Sequence, residues 1–105
     1  MIKLIQFGRN TCVPCKVMNI YISKKINENP NINFEYIDVD YIKKEDNYSE
    51  LLNVILSQKK YKSLPLFTII EDDDRDISIG VIDIFHTTSY SEIDEVINKY
   101  FNEEE

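Results

Sequence analysis

Gln6-Phe7-Gly8-Arg9-Asn10-Thr11-Cys12-Val13-Pro14-Cys15-Lys16 is the stretch on which the reading of this chain turns. On its N-terminal side the apolar run of residues 2–7 meets the turn-like Gly8-Arg9-Asn10-Thr11, which predicts a short buried strand. On its C-terminal side Val17, Met18, Tyr21, Ile22 and Ile26 recur at three- and four-residue intervals. That spacing predicts a helix from about Val13 to Asn27 with one inward apolar stripe. Pro14 suits the first turn, where a missing N–H costs nothing, and Asn29-Pro30 marks the end. Both cysteines therefore fall where a strand gives way to a helix.

Two thiols three residues apart at a helix start can close a disulfide within that turn. Cys12 lies where unpaired backbone N–H groups favour a thiolate, which makes it the better nucleophile and leaving group. Cys15, inside the helix, is suited to attack a mixed disulfide formed by Cys12. Lys16 adds positive potential beside the pair or is a plain surface lysine. The competing readings are a zinc half-site and two inert buried thiols. Structural zinc wants four ligands, whereas the chain has two cysteines and the distant His86, so no metal is expected.

The rest of the chain reads as alternating elements. Ile32 to Val39 sets Ile32, Phe34 and Tyr36 against Asn33 and Glu35, the period of a second strand. Asn47 and Glu50 form a capping box ahead of Leu51, Leu52, Ile55 and Leu56, which predicts a second helix to about Lys60. Leu66–Ile70 and Ile77–Ile82 are two further strands, and the acidic segment 71–76 between them predicts a hairpin. A Ser89-x-x-Glu92 box then opens a last helix with Ile93, Val96, Ile97 and Tyr100 inward. The order β-α-β-α-β-β-α predicts an α/β fold: a mixed four-stranded sheet, its first two strands parallel, with helices on both faces.

The 105 residues, 43% hydrophobic and 30% charged, suit one domain spanning 1–105. No apolar run approaches the roughly 20 residues of a membrane span, and residues 2–7 are too short for a secretory signal. A soluble cytoplasmic protein is the expectation, with no membrane partner. A net charge of −7 repels phosphate and argues against nucleic acid.

The segment from Gln6 to Lys16 resembles the active-site segment of the thioredoxin-like superfamily, in which a strand ends at a Cys-x-Pro-Cys-Lys turn. Ser63-Leu64-Pro65, just before the third strand, resembles the segment that holds that superfamily's cis-proline opposite the cysteines. The resemblance implies the thioredoxin fold over almost the whole chain, without the N-terminal strand and helix of full thioredoxins. It implies Cys12 and Cys15 as catalytic residues, with Val13, Pro14 and Lys16 completing the motif. It further implies that Leu64 and Pro65 present backbone to an extended substrate.

The chain departs from the pattern in several places. Thr11 and Gly8 stand at positions that are often aromatic in thioredoxins, and the chain has no tryptophan. Gln6 matches the buried carboxylate that assists proton transfer, and Tyr36 matches its lysine neighbour. Thiol–disulfide exchange on protein disulfides is the leading expectation. It needs no cofactor beyond the Cys12–Cys15 redox pair, and the protein is expected to act as a monomer. Its electron donor is a reductase or glutathione. The alternatives are a glutaredoxin-like, glutathione-dependent reductase and a non-catalytic binding module on the same fold.

Overall fold

The structure, a computed structural model, describes residues 2–41, 52–53, 64–71 and 80–101. Strand β1 (Ile2–Gly8) leads into helix α1 (Val13–Glu28), followed by β2 (Phe34–Asp38), β3 (Leu66–Glu71), β4 (Val81–His86) and helix α2 (Tyr90–Phe101). The strands form one sheet in the order β2-β1-β3-β4. β2 runs parallel to β1, while β3 is antiparallel to both β1 and β4. This is the mixed four-stranded sheet expected from the element order. The second helix predicted over 47–60 and the acidic turn lie outside the described residues, apart from positions 52–53 and Glu71.

Being central, β1 is covered on both sides, and Leu4 through Gly8 are all buried. Alternation along the strand divides the core in two. Leu4, Phe67 and Ile69 meet Met18 and Ile22 of α1 and Ile93, Ile97 and Phe101 of α2 on one face. Ile5, Phe7, Leu66 and Ile70 form the other cluster, with Leu52 and Leu64 packed against it. Both described helices thus cover one face, and each fully buried side chain such as Met18 or Ile22 contributes about 1.5–3 kcal/mol.

Two expectations need correction. Val17 does not face inward: it lies on the solvent side of α1 with Val13 and Ile20, while Cys15, Met18 and Ile22 are the buried positions. The apolar residues of this helix are spread over two faces, so intervals of three and four did not identify a single stripe. The fourth strand, Val81–His86, runs four residues past the expected end at Ile82, while positions 77–79 of the expected span lie outside the described residues. Gly80 is in a turn, and Ile70 pairs with Val81. The Gly80 carbonyl accepts from the Glu71 N–H at 2.8 Å, and a Cβ on Gly80 would lie 2.6 Å from the Glu71 carbonyl oxygen. The backbones approach too closely there for a side chain.

At α2 the expected cap is modified. The Ser89 hydroxyl oxygen accepts the Glu92 N–H at 3.4 Å as the box expects, but the Glu92 carboxylate takes the Thr87 hydroxyl instead of the Ser89 N–H. Thr87 in turn accepts the Ser89 N–H at 3.0 Å, so the first turn is tied to the end of β4.

Candidate redox site

β1 ends at Gly8, and the chain turns through residues 9–12 before α1 begins. The turn is closed by the Cys12 N–H donating to the Arg9 carbonyl at 3.0 Å. Arg9 also reaches both carboxylate oxygens of Asp40 at 3.1 Å, linking this turn to the one after β2. The Val39 N–H donates to the Gly8 carbonyl at 2.9 Å, so the ends of the two parallel strands are held together.

Cys12 is the N-cap of α1. Its backbone is extended, its sulfur accepts the Cys15 N–H at 3.2 Å, and its carbonyl accepts the Lys16 N–H at 3.2 Å. An N-cap side chain normally offers oxygen to the unpaired N–H groups of the first turn, and here sulfur takes that place. A charged sulfur there gains both the hydrogen bond and the positive end of the helix dipole. The first turn holds no acidic residue to oppose it. Cys12 and Cys15 are joined in a disulfide with their Cα atoms 5.2 Å apart. Cys12 is half-buried and Cys15 fully buried, which separates an accessible sulfur from a protected one. Val13, Pro14 and Lys16 are exposed around them.

Gln6 is fully buried, and its Nε2 donates to the Cys15 carbonyl at 2.9 Å. Its Oε1 is buried with no hydrogen-bond partner among the described residues. Tyr36 lies beside Gln6 in the parallel register. Its ring fills the space of the missing side chain at Gly8, where a Cβ would sit 2.8 Å from Cζ. Burial, and then the nearby Asp38 carboxylate, push the Tyr36 hydroxyl above the usual phenol value of 10.0. An aromatic ring therefore occupies the position over Gly8, but it comes from the neighbouring strand.

The Leu64–Pro65 peptide bond is cis, and Pro65 is buried. Leu66 pairs with Phe7, which puts Pro65 next to Gly8 at the sheet end from which the cysteine turn emerges. His86 is exposed at the end of β4, opposite Leu66, and its Nδ1 is 2.7 Å from the Pro65 carbonyl. A carbonyl only accepts, so Nδ1 carries the proton. The pairing of β3 with β4 brings His86 to Pro65, a contact that its place near the end of the fourth strand did not by itself reveal. Among the described residues no group of three or more His, Cys, Asp or Glu side chains could hold a metal ion.

No protein-family model matches the chain, and no curated protein matches it in sequence. Solved structures do match. Fasciola hepatica thioredoxin superposes with a TM-score of 0.66 at 17% identity, over 94% of this chain and 80% of that one. Trichomonas vaginalis thioredoxin gives a TM-score of 0.66 at 19% identity, over 94% of this chain and 78% of that one. Chlamydomonas reinhardtii thioredoxin f2 gives 0.65 at 14% identity, over 98% and 82% of the two chains. The chain has the thioredoxin fold, with a Cys-x-x-Cys disulfide at the start of its first helix.

Proposed function

We propose that the protein is a thiol–disulfide oxidoreductase that reduces protein disulfides by dithiol exchange through Cys12 and Cys15. One observation carries the reading: a half-buried N-cap sulfur accepts the Cys15 N–H and is paired with a fully buried sulfur three residues on. In the reduced protein the Cys12 thiolate attacks one sulfur of a substrate disulfide. A Cys12–substrate bond forms as the substrate bond breaks, and the first substrate sulfur leaves as a thiolate.

The Cys15 thiol then loses its proton and attacks Cys12. The second substrate sulfur departs, and the substrate has gained two electrons and two protons. Gln6 is a neutral amide that cannot take the Cys15 proton near neutral pH, so water, the substrate thiolate released in the first step or another group takes it. A thiol or dithiol donor, supplied by a flavin-dependent reductase or by glutathione, restores the reduced pair with the same two electrons.

Leu64 and Pro65 border the substrate in this reading, because β3 begins beside the end of β1 that carries the cysteine turn. His86 holds the Pro65 carbonyl and is a positioning residue. The test is insulin reduction with dithiothreitol as donor. Wild-type protein accelerates precipitation of the insulin B chain, Cys12→Ser abolishes the acceleration, and Cys15→Ser accumulates a mixed disulfide at Cys12. Unchanged acceleration with Cys12→Ser overturns the mechanism, and no acceleration by wild-type protein favours a binding module.

A further inference from the structure

We infer that the outward face of α1 is a docking strip for protein substrates whose reactive sulfur is followed by an apolar, acidic segment; the inference rests on the redox reading above. Val13, Val17 and Ile20 are 68%, 41% and 58% exposed. Their spacing of four and three residues places them in one line along the helix, opposite the buried Cys15, Met18 and Ile22. Lys24 continues the line four residues beyond Ile20, and Lys16 flanks it. Both lysines are exposed, and neither forms an ion pair among the described residues. The helix carries no acidic residue before Glu28.

This strip is therefore apolar and locally positive on a molecule whose net charge is −7. Charge complementarity selects the occupant. A segment bearing carboxylates is repelled by the bulk of the molecule and attracted to this line, which orients it as well as holding it. A basic segment is drawn to the acidic remainder instead.

The strip starts at the residue after Cys12. A partner whose sulfur meets Cys12 can lay its following residues along Val13, Val17 and Ile20. That stretch of helix spans roughly 10 Å, the reach of about three residues of extended chain. A second copy of this chain is disfavoured as the occupant because it brings another net charge of −7.

The test uses single-turnover reduction by the pre-reduced full chain. Two disulfide-bonded peptides differ only at about three to six residues after the cysteine, Leu-Glu-Leu-Glu in one and Leu-Lys-Leu-Lys in the other. The acidic peptide is expected to react about tenfold faster, with the gap closing in about 0.5 M salt. The paired change Ile20→Ser and Lys24→Glu is expected to remove that preference. Both positions are exposed, so the thermal midpoint should stay in place and show that the variant is folded.

Equal rates for the two peptides, or a preference that survives the paired change, overturn the inference. So does a dimer seen by sedimentation that Ile20→Ser dissolves, since the strip then serves a second copy. Reduction of bis(2-hydroxyethyl) disulfide, which has no flanking chain, separates the two levels. If it proceeds while the peptides react alike, only the docking strip fails; if no disulfide is reduced, the redox reading fails and takes the strip with it.

Discussion

Gly8 and Tyr36 form one unit, although they stand on different strands. A methyl group at Gly8 would sit 2.8 Å from Tyr36 Cζ and closer still to its hydroxyl. Overpacking of this kind costs about 1–3 kcal/mol, so Gly8→Ala should lower the urea midpoint accordingly. In a Tyr36→Leu background the same change should cost less, and the difference is the coupling a double-mutant cycle reads. Additive effects of the two changes would show that the ring does not occupy the site.

Gln6 gives a second prediction at this scale. Its Nε2 holds the Cys15 carbonyl while its Oε1 is buried without a partner among the described residues. Gln6→Leu removes the bond and the unsatisfied oxygen together, so the net change in stability should stay within about 1 kcal/mol. Because Gln6 is not the proton acceptor, the pH profile of disulfide exchange should keep its shape; loss of an ionisation from that profile would contradict this. The residues that depart from the thioredoxin pattern, at positions 6, 8, 11 and 36, were visible in the sequence. That Tyr36 reaches over Gly8 was not, because it depends on the β1–β2 register.

α1 and α2 are joined by a polar clasp at their exposed edges. The Tyr21 and Tyr90 rings stack with centroids 4.1 Å apart, and the Tyr21 hydroxyl donates to both oxygens of Asp94 at 2.8 and 3.0 Å. Lys25 Nζ lies 3.6 Å from the same carboxylate. The hydrogen bond to Asp94, followed by burial, raises the Tyr21 hydroxyl above 10.0. The Asp94 charge also raises Lys25 above 10.5.

Both groups hold their protons more tightly in the folded state, so their contribution is fully present below about pH 10 and is lost as pH rises through the folded values. The thermal midpoint should therefore fall above about pH 10, and Asp94→Asn should make that fall shallower. At pH 7 Asp94→Asn should lower the midpoint by a few degrees at most, because the groups are solvent-exposed. An equally steep alkaline fall in the variant would exclude Asp94 as the cause. At this scale the Ser89 capping residue showed where the last helix begins, while the box at Asn47 lies outside the described residues. The two-faced character of α1 escaped the periodicity because Val13, Val17 and Ile20 keep helical spacing while pointing to solvent.

Across the whole molecule, the sheet order brings the ends of β1 and β2 and the start of β3 to one edge, where the cysteine turn, Leu64-Pro65 and His86 gather. The cysteine spacing and the Ser63-Leu64-Pro65 segment made that edge legible in the amino-acid sequence, because each is a short, local pattern. The contact of His86 with Pro65 was not, since it depends on the pairing of β3 with β4. The surroundings of the pair also bear on its reduction potential. Helix N–H groups stabilise the reduced Cys12 thiolate, no histidine lies between the cysteines, and no acidic residue lies in the first turn.

Equilibration of wild-type protein against glutathione buffers of known ratio, with the oxidised fraction read by thiol alkylation and mass, tests the redox claim directly. The expected result is one reversible two-electron transition confined to Cys12 and Cys15, with a potential nearer about −270 mV than about −120 mV. A potential above about −180 mV would contradict the reducing assignment, and a pair that does not titrate with the buffer would contradict redox function altogether.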